Sequence, residues 1–147
     1  MNPLLRICSL LNDEGAHYLV AGGHACILHG VIRTTEDVGI LIEPTEENAR
    51  KVLAALSRME DGVARELVPK DLLENVVVKI ADEVEVDVST HAWKVSYQDA
   101  IANALETVIE GVRIPYLGFD NLIASKETYR EKDQLDIMRL RAAKGNI

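Results

Sequence analysis

Positive charge is scarce in this chain: 16 lysines and arginines stand against 24 aspartates and glutamates over 147 residues, a net charge of -8. A protein whose main task is to coat nucleic acid needs a basic face that displaces condensed counterions, so that class is excluded, although local basic patches are not. Cysteine is nearly absent. Cys8 and Cys26 both fall on apolar, helix-like faces and match no paired zinc-ligand spacing, which marks them as reduced core residues. No apolar run approaches the roughly 20 residues that cross a bilayer. The amino terminus also lacks a basic stretch followed by a long apolar one. The expectation is a cytoplasmic protein with no membrane partner. Low-complexity tracts and internal repeats are missing as well. A chain of this length is expected to form one domain, over residues 1–147, and to bury roughly 70% of its unfolded surface.

The pattern of what is present is mixed. An amphipathic helix is expected from about Pro3 to Leu11, with Leu4, Ile7, Cys8 and Leu11 on one face and an end near Gly15. A short strand follows at Tyr18 to Val20, then a turn at Gly22-Gly23 into a short helix that Gly30 closes. The next strand, Asp37 to Ile42, puts Val38, Ile40 and Ile42 on one side and Asp37, Gly39 and Leu41 on the other. Thr45 caps a helix with Glu46 and Glu47 in its first turn and the stripe Ala49, Val52, Leu53, Leu56 and Met59. Two strands are expected at about Asn75 to Ile80 and Glu83 to Val88, the second with Val84, Val86 and Val88 buried and Glu83, Glu85 and Asp87 opposite. A helix near Tyr97 to Ala104 precedes a hairpin turning at Glu110-Gly111. Helices at about Phe119 to Lys126 and Asp133 to Ala143 finish the chain. The total is an α+β fold, a small mixed sheet covered by helices.

Chemistry is concentrated where one more thing is missing. Residues 33 to 42 read Arg-Thr-Thr-Glu-Asp-Val-Gly-Ile-Leu-Ile, so Asp37 stands at the mouth of a strand and Gly39 stands where a metal-binding strand would carry a second carboxylate. Residues i and i+2 of a strand lie about 6.5 Å apart on one face and adjacent strands about 4.8 Å apart, so acids on neighbouring strands can bracket metal ions. Asp37 and Asp87 converge in this way if the strands ending at Ile42 and Val88 are neighbours. Mg²⁺ takes oxygen ligands, keeps water and accepts phosphate oxygens, which suits such a pocket. Gly22-Gly23 supplies the other half: backbone without a Cβ approaches a phosphate closely, and a helix start offers free amide donors. The same glycine pair also serves simply as a tight strand-to-helix turn.

Taken in order, Gly22-Gly23, then Arg33-x-Thr35-x-Asp37-Val38, then Val86-Asp87-Val88 resembles the minimal nucleotidyltransferases of the DNA polymerase beta superfamily, with their Gly-Gly turn, Asp-x-Asp strand and third Asp on a neighbouring strand. Leu122-Ile123-Ala124-Ser125-Lys126, followed by Lys132-Asp133-x-x-Asp136, is similar to the tail of abortive-infection toxin-like small nucleotidyltransferases. The resemblance implies a nucleotidyltransferase-like fold and transfer of a nucleoside monophosphate from an NTP to a hydroxyl acceptor (a protein, RNA or small molecule) with Mg²⁺ or Mn²⁺. It implies that Gly22, Gly23, His24, Arg33 and Lys126 contact the nucleotide, that Asp37 and Asp87 are catalytic and hold metal, and that Asp87 faces the attacking hydroxyl. The stripe Phe119, Leu122, Ile123 and Lys126 independently lays the lysine stem along a buried face.

Two positions depart from the family: His24 replaces a small hydroxyl residue, and Gly39 replaces the second Asp. A two-ion clamp needs a carboxylate that completes both coordination shells, so Gly39 is expected to impair activity. Three readings stay open. The protein is a non-catalytic module that binds nucleotide or a partner, such as a toxin-antitoxin component; it is a variant inactivated at Gly39; or Glu85, on the face of Asp87, replaces the missing ligand. Asp133 and Asp136 are explained without chemistry by a salt bridge or a helix start. Arg33 is expected to pair with an acid of the active strand or to reach a phosphate.

Overall fold

The computed structural model describes residues 2–145. In chain order the elements are α1 (Pro3–Asp13), β1 (Tyr18–Ala21), α2 (Gly22–Leu28), β2 (Val38–Ile42), α3 (Glu46–Leu56), α4 (Pro69–Glu74), β3 (Val77–Ala81), β4 (Glu85–Ser89), β5 (His91–Ala92), β6 (Val95–Ser96), α5 (Tyr97–Ile101), β7 (Leu105–Ile109), β8 (Val112–Tyr116), α6 (Phe119–Ser125) and α7 (Glu131–Gly145), with a 3-10 turn at Val63–Glu66. Six strands form one mixed sheet in the order β3-β4-β2-β1-β8-β7, and β5 pairs with β6 separately. This is the expected mixed sheet with helical cover.

Local chemistry sets the elements. The Asn2 side chain accepts the Leu4 amide at 2.8 Å and Pro3 opens α1, whose Leu4, Ile7, Cys8 and Leu11 are buried as their spacing predicts. The Thr45 hydroxyl caps α3 through the Asn48 amide at 3.1 Å. Glu110 and Gly111, at φ of 50° and 80°, form the left-handed turn that joins β7 to β8. The cysteines are free and buried, and burial pushes the Cys8 thiol up to about 11.

Two pieces depart from expectation. Residues 69–74 form α4, started by Pro69 and by the Asp71 carboxylate, which accepts the Val68 amide at 2.8 Å; six residues are too few to show a helical period. The hairpin of β5 and β6 has two-residue strands, too short for alternation to register. Glu83 lies ahead of β4 and does not join the acidic face. It pairs with Arg6 at 3.1 Å and accepts the Glu60 amide at 2.9 Å.

Sheet register positions everything that follows. β2 runs antiparallel to β1 and parallel to β4, so Ala21, Gly39, Asp87 and Lys79 stand level across β1, β2, β4 and β3. Tyr18, level with Ile42, donates its hydroxyl to Asn12 of α1 at 2.9 Å, which places α1 on the opposite face, the one that buries Val38, Ile40, Val86 and Val88.

Candidate functional site

Parallel pairing of β2 with β4 brings the two aspartates together. Asp37 precedes Val38, which is level with Val86, so one step back in register sets Asp37 beside Glu85, with Asp87 two residues further on the same face. The three carboxylates meet on one ammonium: Lys79 Nζ lies 3.6 Å from Asp37 Oδ2, 3.3 Å from Glu85 Oε1 and 3.3 Å from Asp87 Oδ1. Asp37 and Asp87 oxygens are therefore at most about 7 Å apart. The acids hold Lys79 above the usual lysine range, Asp87 foremost and Glu85 next. Asp87 Oδ1 is sealed from solvent and has no hydrogen-bond partner; its contact with Lys79 is one of charge, without hydrogen-bond alignment.

Lys79 has no part in the sequence-based expectation. Its alternation with Val78 and Ile80 puts it on a defined face, yet only the β3–β4 register sets it opposite Asp87.

The Gly22-Gly23 turn follows directly from Ala21, the β1 end of the same cross-strand row. Gly22 has a φ of +65°, in the left-handed region that glycine adopts freely. Gly23 is required for a different reason: a Cβ there would lie 2.7 Å from Thr35 Oγ1 and 3.3 Å from Arg33 Cζ. The glycine pair and the Arg33-x-Thr35 segment are thus one packed unit leading to Asp37. Gly39 has no such need, since a Cβ there would meet the Ala21 carbonyl oxygen at 3.6 Å, an ordinary contact, and would point to the acidic face. His24 is 9% exposed and its Nε2 has no hydrogen-bond partner. Burial foremost, then the Arg33 charge, lower its pKa.

Arg33 and Lys126, expected at phosphates, converge instead on α7. Arg33 donates to both Asp136 oxygens at 2.7 Å, and Lys126 Nζ donates to Asp136 Oδ2 at 2.8 Å. Asp133 takes Thr128 at 2.6 Å and Arg130 at 2.8 Å. Lys126 is 6% exposed and Asp136 4%, so this is a buried ion network beneath the glycine turn. Asp133 and Asp136 follow the salt-bridge expectation. His29 ties α2 to the β8–α6 junction through the Leu117 carbonyl, 2.8 Å from Nε2.

Donor chemistry decides what metal the cluster fits. Among the described residues, no three His, Cys, Asp or Glu side chains converge closely enough to hold an ion. A two-ion clamp therefore does not fit: Gly39 supplies no ligand, and Glu85, which one of the three open readings puts in its place, does not complete a three-ligand ion site with Asp37 and Asp87. A single Mg²⁺, which binds through one or two carboxylates and takes its other oxygens from water and phosphate, does fit Asp37 and Asp87, because the unpartnered Asp87 oxygen faces a cation already.

The chain matches no protein-family model, and no curated protein matches it by sequence. By structure it is similar to an antigenic nucleotidyltransferase-like protein from Paracoccidioides brasiliensis, at 16% identity and a TM-score of 0.57 over 95% of this chain and 72% of that one. It is also similar to a provisionally assigned nucleotidyltransferase from Thermotoga maritima, at 17% identity and a TM-score of 0.51 over 95% of this chain and 85% of that one. The fold is nucleotidyltransferase-like. No described helix is long and apolar enough to cross a membrane.

Proposed function

We propose that the cleft framed by Gly22-Gly23, Asp37 and Asp87 binds a nucleoside triphosphate, and that the chain transfers its nucleoside monophosphate to a hydroxyl acceptor, slowly because of Gly39. The observation that carries this reading is the meeting of Asp37 and Asp87 on one cation, on the sheet face next to the glycine turn. Glycine without a Cβ lets the turn approach phosphate oxygens. The Asp87 carboxylate, whose side chain is 29% exposed although its Oδ1 is sealed, would take the acceptor's proton while the acceptor oxygen bonds to the α-phosphorus and pyrophosphate leaves. A divalent ion on Asp37 and Asp87 would supply neutralising charge for the phosphates. Losing one clamp carboxylate removes several kcal/mol of transition-state stabilisation, and each 1.36 kcal/mol is about tenfold in rate.

The test is a thermal melt of the purified chain with each NTP and Mg²⁺ or Mn²⁺, alongside Asp37→Asn and Asp87→Asn. The wild-type chain should be stabilised by at least one NTP with metal and the variants should not. Label from the α-phosphate should then appear on an acceptor. No stabilisation by any NTP under either metal overturns the reading.

The sheet edges favour a second reading, a non-catalytic module that binds a protein partner such as a cognate toxin or antitoxin. Val76 and Val77 at one edge and Leu105, Val108 and Ile109 on β7 at the other are exposed apolar residues beside unpaired strand. It predicts a stable complex with a protein encoded nearby, seen by size-exclusion chromatography. Rapid label transfer by the purified chain alone excludes it.

A further inference from the structure

We propose that Lys79 is the resident cation of the acidic cluster, occupying the place a divalent ion would take, so that metal enters only by displacing its ammonium. The register sets Lys79 of β3 directly opposite Asp87, and its Nζ reaches all three acids within 3.6 Å. No other described lysine or arginine makes an ion pair with Asp37, Glu85 or Asp87. Without Lys79, three carboxylates would stand together uncompensated on one sheet face, where like charges repel. Metal and ammonium cannot both lie among these oxygens, because the two cations would repel at the distances that bind them to the acids. The Lys79 side chain is 54% exposed and flexible, so it can swing into solvent when a stronger cation arrives. The arrangement makes metal binding an exchange of one cation for another. It also gives the face a charge balance when no metal is bound. The inference stands apart from nucleotide binding, and its test uses none.

The experiment is a titration of Mn²⁺ into the full chain without nucleotide, with free ion read by electron paramagnetic resonance. Wild type, Lys79→Met, Lys79→Arg and Lys79→Met combined with Asp87→Asn are compared, each checked by thermal melt. Lys79→Met should bind one Mn²⁺ about tenfold or more tightly than wild type. Lys79→Arg should stay as weak as wild type, and the double variant should lose the gain. Equal affinity in wild type and Lys79→Met, binding by neither, or a gain that survives Asp87→Asn overturns the proposal. A second readout needs no charge-removing variant: in wild type carrying ¹³C-dimethylated lysines, the Lys79 resonance, assigned through Lys79→Arg, should move toward that of a solvated lysine as Mg²⁺ is added. Metal binding that leaves this resonance in place overturns the proposal equally.

Discussion

Single atoms decide the chemistry at the residue scale. Gly39 is a vacancy in the ligand set without being a conformational necessity, since a Cβ there makes an ordinary 3.6 Å contact. Gly39→Asp should fold normally and add a carboxylate level with Asp87. Mn²⁺ affinity measured by calorimetry should rise by about tenfold or more, and label transfer should rise with it. His24 gives a pH signature. Its folded pKa lies below the ordinary 6.5, so below that pH the unfolded chain takes a proton that the folded chain refuses. The stability this contributes is present above pH 6.5 and is lost as pH falls toward the lowered folded value. Urea melts of wild type and His24→Gln between pH 7.5 and pH 5 should show a shallower decline for the variant; parallel declines would count against the assignment.

Charge at the element scale is used for architecture. Asp136 of α7 gathers Arg33 from the segment leading into β2 and Lys126 from the end of α6, so one carboxylate joins three parts of the chain. Removing one partner of a buried pair leaves an uncompensated charge; here Arg33 would lose its acid and Lys126 would keep only Asp133, 3.9 Å away. Asp136→Ala should therefore destabilise the fold by about 3–5 kcal/mol in denaturant titration. Because Arg33 packs at Gly23, where a Cβ would stand 3.3 Å from its Cζ, the same variant should loosen the glycine turn and weaken any nucleotide-induced rise in melting temperature.

Scale up to the whole molecule and the parallel joint of β2 and β4 governs both stability and site. Ile40 is 1% exposed on the core face of β2, one residue from Gly39. Ile40→Ala should cost about 2–5 kcal/mol through lost burial and the cavity left behind. Total stability of a domain is only about 5–15 kcal/mol, so this is a large fraction of it. A ligand that binds the folded state alone returns about 2.7 kcal/mol at a hundredfold excess over its Kd. NTP with Mg²⁺ should thus restore much of the melting temperature of Ile40→Ala, and none of it when Asp87→Asn is added.

Period-2 and period-3.6 patterns depend only on near neighbours along the chain, which is why they could be read directly. Val84, Val86 and Val88 against Glu85 and Asp87, the stripe of α3 and the Glu110-Gly111 turn all stand where their spacing puts them. Asp37 and Asp87 were legible as acids on strands for the same reason. Their meeting was not, because it requires β2 and β4 to pair across a connection of more than 40 residues, and sequence spacing carries no record of which strands become neighbours. Tertiary structure alone decided that Lys79 lies among the acids, that Arg33 and Lys126 turn to Asp136, and that Gly23 is needed for the approach of Thr35. Each of these is a contact between distant segments, set by sheet register and by the requirement that buried charge find its opposite.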